Sequence, residues 1–168
     1  MISPKLSKVY RSGSPTGAKF HGLFTDPEDR FEGDELRARR ILRTHARSNL
    51  ATGGVVWAEE GTYLLFEHSS TRDEVRFLAF EVTHRLAWVR SGKSIDPVTK
   101  MARGDVDQTL HPNLPVTVEP TGVVEVQGIE RNRYVIRAPG VFQKGDRIGP
   151  YTAQTVQVIH GASIIGAV

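Results

Sequence analysis

One stretch of this chain ends like a phosphate-binding loop: Ala87-Trp88-Val89-Arg90-Ser91-Gly92-Lys93-Ser94. Such a loop needs glycines that let backbone amides wrap phosphates, and a helix that begins near the lysine. Here Ala87 replaces the first glycine, and Pro97 stands where the helix should run. The pattern therefore favours a strand that leads into a turn, and not a nucleotide site.

Paired carboxylates are a second possible source of chemistry, because many hydrolases need only two. The candidates are Glu59, Glu60, Glu67, Asp73, Glu74 and Glu81. They fall mainly in predicted turns and at strand edges, where a solvated charge also discourages edge pairing. The sequence contains no Gly-x-Ser-x-Gly motif that would present a serine nucleophile.

Metal and thiol chemistry have little support in the composition. The six histidines show no spacing that would aim two imidazoles at one ion. Zero cysteines exclude disulfides, thiolate metal sites and cysteine nucleophiles. We predict a protein that is not an enzyme, with no catalytic residue, no metal and no cofactor.

Arginine is the residue type with the clearest clustering. The first group is Arg37, Arg39, Arg40, Arg43 and Arg47, and the second is Arg131, Arg133 and Arg137. The first group could meet DNA phosphates, pair with the acidic stretch 59–81 of a neighbouring subunit, or be solvated. The second group alternates along a predicted strand without the exposed aromatics that single-strand-binding barrels use for base stacking. Both groups are candidates for an interface or a DNA channel.

Length and composition describe an ordinary globular chain. It has 168 residues, 39% of them hydrophobic, and a formal net charge of +3. No stretch approaches the roughly 20 apolar residues of a membrane span, and residues 1–5 lack the apolar core of a secretory signal. We expect a soluble protein made in the cytoplasm, with no membrane partner.

Residues 55–90 are rich in β-branched and aromatic residues, with turn formers at short intervals. Strands are predicted at residues 6–11, 18–25, 55–58, 63–67 and 75–90. Both faces of the 75–90 run are apolar, as in a strand packed between two layers. From Asp34 to Asn49 the apolar positions fall near helical spacing, which predicts one short helix, although an arginine-rich strand pair also fits.

Residues 91–117 show little hydrophobic period and are predicted to form a long loop or linker. Further strands are predicted at residues 116–118, 123–129, 133–137, 147–148 and 155–160. Closing them into a barrel would remove unpaired strand edges. The expected fold is mainly β, a small antiparallel barrel or sandwich with one short helix and long loops. Residues 1–90 and 118–168 would be the halves of one compact unit.

Three segments, in this order, resemble the head–tail connector proteins of tailed bacteriophages, which include head-closure, stopper and lambda-type joining proteins. Residues 20–29 look like the strand that runs into an Asp-Pro-Glu turn in joining proteins. Residues 61–67, with the strand that rises to Trp88, are similar to a hairpin of head-closure proteins. Residues 144–148 followed by 155–159 look like their closing hairpin.

The resemblance implies a structural neck protein of the virion. Identical subunits would form a ring between portal or adaptor and tail, around the channel that holds the DNA. Heterologous contacts between copies can close such a ring. Two other hypotheses stay open: a small β-barrel module that binds nucleic acid, and a hydrolase that uses the carboxylates named above.

Overall fold

Antiparallel strands dominate the part of the chain described by the computed structural model, residues 7–25 and 39–168. In chain order they are β1 Lys8–Ser12, β2 Lys19–Thr25, β3 Arg39–His45, β4 Val55–Ala58, β5 Gly61–Ser70, β6 Glu74–Glu81, β7 His84–Ile95, β8 Ala102–Val126, β9 Ile129–Pro139, β10 Arg147–Ile148, β11 Tyr151–Ile159 and β12 Ala162–Ala167. The chain divides into two compact units, residues 1–83 with 159–162, and residues 84–158 with 163–168.

The first unit is a closed six-stranded barrel with the strand order β1-β2-β3-β6-β5-β4. Closure comes from β1, which pairs with β2 on one side and with β4 on the other. Alternate residues point inward, as the two-residue period of a strand requires. The inward side chains form an aromatic-rich core of Tyr10, Phe20, Phe24, Leu42, Val56, Ala58, Tyr63, Leu65, Phe77 and Ala79.

Strands β5 and β6 are buried on both faces over part of their length, at residues 63–66 and 79–80. Tyr63 and Phe77 point into the barrel core, while Leu64, Phe66 and Phe80 on the opposite face are also buried. Phe66 and Phe80 pack edge to face with ring centroids 5.7 Å apart, a favoured aromatic geometry. The prediction that both faces of residues 75–90 are packed therefore holds at Phe77, Ala79 and Phe80, whereas Arg76, Glu81 and residues 83–85 are exposed.

The second unit is also a closed six-stranded barrel, in the order β10-β11-β12-β9-β8-β7. The two-residue strand β10 closes it by pairing with β7 and with β11. Strand β8 pairs with β7 through residues 102–116 and with β9 through residues 117–126. The buried core is Leu114, Val116, Val118, Ile136, Ala138, Phe142, Ile148, Ala153, Ile165 and Ala167.

The mainly β prediction and the barrel are confirmed, but the helix predicted at residues 34–49 is wrong where the structure describes it. Residues 39–45 form β3, which pairs with β2 and β6 on its two sides. Leu42 and Thr44 point inward and are fully buried. Their spacing of two residues is that of a strand. Hydrogen bonding to a neighbouring strand on each side outweighs the weak helical pattern of this segment. Residues 34–38, like the predicted turn at 26–29, lie outside the described residues.

The long loop predicted at residues 91–117 is also wrong, since strands β7 and β8 occupy most of it. Strand β8 includes Pro112 and Pro115, although proline cannot donate to a strand ladder. Strand β8 tolerates the two prolines because residues 102–116 pair with β7 on one side only. Amides that point away from β7 therefore have no ladder hydrogen bond to make. The pairing with β7 is also irregular, with register shifts near Trp88 and Lys93.

The strand predicted at residues 75–90 is two strands, interrupted at Val82 and Thr83. The units divide between Thr83 and His84. The sequence did not indicate this break, because apolar residues continue from β6 into β7. Those of β6 pack in the core of the first unit and those of β7 against the core of the second.

Candidate functional site

The second unit carries a ribbon of two strands in which most of the described side chains are exposed. We call residues 91–108 the first ribbon; it consists of the ends of β7 and β8 and the turn that joins them. Four of its apolar side chains are more than half exposed: Ile95 at 63%, Val98 at 86%, Met101 at 70% and Val106 at 52%. Exposed apolar side chains concentrated on one projection mark a surface for contacts with another molecule.

The turn of the first ribbon is ordered by Asp96. Its Oδ1 accepts hydrogen bonds from the backbone N–H groups of Val98 and Thr99, at 2.7 and 3.2 Å. The Asp96 carbonyl accepts from the Lys100 amide, and the Asp96 amide donates to Met101. The exposed apolar side chains therefore stand on a preorganised turn, which lowers the entropic cost of binding.

The first ribbon is anchored to the barrel through a buried carboxylate, Asp146. Arg90 donates to it twice, from Nε to Oδ1 at 2.8 Å and from Nη2 to Oδ2 at 2.7 Å. Trp88 Nε1 and the Gln143 amide donate to Oδ2, each at 2.9 Å. Trp88 also stacks on Phe142 with ring centroids 4.0 Å apart. These contacts tie the loop before β10 to the strand that continues into the ribbon.

Burial by itself would raise the pKa of the Asp146 carboxyl, because desolvation disfavours its charge. The hydrogen bonds from Arg90, from the Gln143 amide and from Trp88 outweigh that effect and hold the pKa below its usual value. The carboxylate is thus charged at neutral pH and its role is to hold the ribbon, since its oxygens are already engaged.

A second ribbon is formed by residues 121–133, where β8 turns into β9. Its tight turn is Gln127-Gly128, and both residues have positive φ, 55° and 76°. Two consecutive positive φ angles are typical of a type I′ hairpin turn, which suits the twist of paired strands. Sequence reasoning missed this hairpin because Gln-Gly is a less usual turn pair than Asn-Gly or Asp-Gly.

The two faces of the second ribbon carry opposite charge. Strand register places Glu125 directly opposite Glu130, so one face presents two carboxylates. The other face presents Arg131 and Arg133, with Val124 opposite Arg131. Both glutamates and both arginines are exposed. We call these the acidic face and the basic face.

A groove of about 250 Å³ runs beside the basic face, between the second ribbon and strands β11 and β12. Its lining consists of Val124, Val126, Arg133, Gln154, Thr155, Gly166, Ala167 and Val168. Most of this lining is apolar, and one wall is cationic. The groove could accept an apolar side chain that is flanked by carboxylates.

The predicted arginines separate into paired and exposed ones. In the first unit, Arg40 pairs with Glu60 at 3.3 Å and its guanidinium lies 5.2 Å from the Phe24 ring centroid. In the second unit, Arg137 is buried and pairs with Glu119 at 2.9 Å. These contacts hold the two side chains within the fold, so they are poor candidates for a partner.

Arg47 is exposed in the turn after β3. For Arg39 the structure describes the backbone only, and Arg37 lies outside the described residues. Arg43 makes a bidentate pair with Glu74 at 3.0 and 2.9 Å. The structure thus leaves Arg47, Arg131 and Arg133 as the described arginines of the predicted set that are exposed.

Glu74 is a buried carboxylate of the first barrel that pairs with two arginines, Arg43 and Arg76. Hydrogen bonds from Arg43, against the opposing effect of burial and aided by Arg76, lower its pKa to about 2. A lowered pKa stabilises the folded state fully above the unfolded pKa of about 4.5, and the effect is lost as pH falls toward 2.

Replacing Glu74 by glutamine should therefore cost about 2 kcal/mol at pH 7, after allowance for the partial exposure of the two arginines. At pH 3 the difference from the native chain should fall to about half, because native Glu74 is losing part of the same contribution. Urea unfolding midpoints at the two pH values measure both quantities. Glu59→Gln, at an exposed carboxylate of the same barrel, serves as control; an equal loss in both variants would contradict the assignment.

The remaining residues that the sequence offered for phosphate, acid–base or metal chemistry do not form a site in the part of the chain that the structure describes. The stretch that imitates a phosphate loop, residues 87–94, lies within β7. Glu59, Glu60, Glu67, Asp73 and Glu81 are exposed. Across residues 7–25 and 39–168, no three His, Asp or Glu side chains are arranged to hold a metal ion. The same residues include no helix that is long and apolar enough to cross a membrane.

Sequence reasoning missed Glu125 and Glu130, the acidic face of the second ribbon. The sequence does contain a pattern that could have identified them. If the turn is placed at Gly128, the two-residue alternation of residues 123–133 puts both glutamates on one face and Arg131 and Arg133 on the other. Comparison of the chain with protein-family models, with curated proteins and with solved structures gives no match.

Proposed function

We propose that this chain is a structural connector that assembles head to tail into a ring, and that it serves as a neck protein between head and tail of a tailed phage. The observation that carries the proposal is the opposite charge of the two faces of the second ribbon. Two different surfaces that complement each other make a heterologous contact, and such contacts close into rings when the rotation permits.

In this assembly the acidic face of one copy packs against the basic face of the next. Glu125 and Glu130 lie directly opposite each other, a like-charge pair that destabilises an isolated ribbon. The neighbour's Arg131 and Arg133 would compensate that repulsion. Val123, which is 63% exposed on the acidic face, would enter the apolar groove beside the neighbour's basic face.

The first ribbon supplies a separate surface for contacts outside the ring. Its preorganised turn and exposed apolar side chains suit packing against another component, and the resemblance to connectors makes portal, adaptor and tail proteins the expected ones. The ring would surround the DNA channel of the virion, after assembly in the host cytoplasm.

The purified chain tests the proposal directly. Sedimentation over a concentration series, from about 1 to 200 µM, should show a transition from monomer to one larger species, as mass action requires. Negative-stain class averages of that species should show rotational symmetry and a central channel. A chain that stays monomeric across the whole series would contradict the proposal, and so would an open filament.

A further inference from the structure

A groove of about 470 Å³ on the first barrel is lined by one lysine, one arginine and two histidines, together with apolar and uncharged polar residues. Its lining consists of Ser12, Ala18, Lys19, Phe20, His21, His45, Arg47, Ser48 and Asn49. It lies at one end of strands β2 and β3, and none of the lining residues is a carboxylate. Of these lining residues, only Arg47 belongs to the predicted arginine groups.

Strand register brings these side chains together. Phe20, Gly22, Leu42 and Thr44 point into the barrel, so Lys19, His21 and His45 point outward on the alternate positions. Gly22 pairs with Thr44, and continuing that register sets His21 opposite His45. The Thr44 hydroxyl donates to the His21 carbonyl at 2.9 Å, which holds the two strands at this end.

The carboxylate of Glu74, near one end of the groove, is engaged by arginines outside the groove lining. Glu74 pairs with His45 in the register of β3 and β6, but its carboxylate is held by Arg43 and Arg76. Asp73 contacts the turn through its backbone carbonyl, which accepts from the Ala46 amide. Within the described part of the chain, Lys19 and Arg47 make no ion pair, so their charge is available to a ligand.

We propose that this groove binds the phosphodiester backbone of nucleic acid. Phosphate oxygens accept hydrogen bonds from lysine, arginine, histidine and serine, all of which are present here. Successive outward residues of a strand are about 6.8 Å apart, so Lys19 and His21 can contact different phosphates of one strand. The residues offer charge and hydroxyl donors without a shaped pocket for a base, which predicts binding that is independent of sequence. The inference goes beyond the connector role, because it assigns a ligand to a surface that the assembly does not use.

Fluorescence anisotropy with a labelled 30-base-pair duplex of mixed sequence tests this site. The double variant Lys19→Gln/Arg47→Gln should bind at least about 10-fold more weakly at 100 mM NaCl. The slope of log K against log salt should fall in magnitude by about 2, since each lost phosphate contact removes about 0.9. Both side chains are exposed, so unfolding midpoints should stay at the native value.

The matched control is Arg85→Gln/Lys144→Gln, which removes one arginine and one lysine that are exposed on the other unit. It should keep native affinity and slope. Equal losses in the two variants would overturn the proposal, because net charge alone would then explain binding. Failure of the native chain to bind the duplex would overturn it, as would equally tight binding of labelled polyglutamate.

Sedimentation of the same samples separates this inference from the connector role. The groove variant should assemble like the native chain. Binding that depends on Lys19 and Arg47 in a chain that never assembles would leave the groove assignment standing and contradict the ring.

Discussion

Replacing Glu125 and Glu130 together by lysine is expected to weaken assembly of the chain by at least about 100-fold. The change makes the acidic face of the second ribbon basic, so in the proposed ring it would meet Arg131 and Arg133 of the next copy as like charges. Juxtaposed like charges at an interface cost several kcal/mol, and each 1.4 kcal/mol is a tenfold change in affinity. Sedimentation across the same concentration series gives the shift in the assembly midpoint.

The reciprocal variant, Arg131→Glu/Arg133→Glu, should fail in the same way. Combining all four substitutions exchanges the two faces, which restores opposite charge across the contact and keeps the native net charge of +3. The fourfold variant should therefore assemble within about 10-fold of the native midpoint. Rescue of this kind separates a direct contact from a general effect of net charge.

Stability of the monomer provides the control for these variants. Residues 125 and 130 repel each other across the ribbon whether both are glutamate or both are lysine, so unfolding midpoints should change little. Failure of the fourfold variant to assemble, with native stability, would contradict the proposed packing of ribbon on ribbon.

The second large effect is expected at Asp146, where replacement by asparagine should destabilise the protein by about 3 kcal/mol. The side chain is 2% exposed and accepts from Arg90, Trp88 and the Gln143 amide. An amide has one acceptor oxygen in place of two, and its NH₂ group would face the Arg90 donors. Breaking a buried ion pair by removing one partner typically costs 3–5 kcal/mol, and the 29% exposure of Arg90 places the estimate at the lower end.

Urea unfolding followed by tryptophan fluorescence measures this loss, because Trp88 contacts the substituted group. Asp107→Asn is a matched control: Asp107 also pairs with an arginine, Arg147, but the side chains are 54% and 47% exposed. Exposed pairs contribute about 0–1 kcal/mol, so the control should lose much less. Similar losses in the two variants would contradict the larger contribution assigned to the buried pair of Asp146 and Arg90.

The lowered pKa of Asp146 also predicts how the free energy of unfolding changes with pH. Its folded pKa lies below the usual value, so its contribution is present above the unfolded pKa, about 3.9. That contribution is lost as pH falls through the folded value. In the Asp146→Asn variant this part of the acid sensitivity should be missing.

Local pattern predicted much of the strand content and the barrel. Two-residue alternation and turn residues were sufficient where a strand is short and buried on one face, as in residues 18–25 and 55–58. They were insufficient at residues 39–45, because Leu42 and Ala46 fit a helical spacing as well as a strand. Pairing of β3 with strands on both sides decided between the two.

The strands of the first ribbon could not be predicted from the local hydrophobic pattern, for a different reason. A strand whose side chains are mostly exposed has no hydrophobic period, so residues 91–108, within the predicted loop 91–117, resembled a loop. Such a ribbon is held by its own cross-strand hydrogen bonds and by anchors such as Asp146, which is 56 residues from Arg90 in the chain. Only the folded barrel brings those groups together.

The same division applies to function. The sequence by itself determined an arginine-rich, cysteine-free chain with strands suited to barrels, while the connector role stays a prediction. Tertiary structure decided which charges are available: Arg40, Arg43 and Arg137 are paired, while Arg47 joins Lys19 and two histidines in one groove. The physical reason is that strand register, set by pairs far apart in sequence, determines which side chains share a face. Opposite charge on the two faces of the second ribbon became visible only with that register.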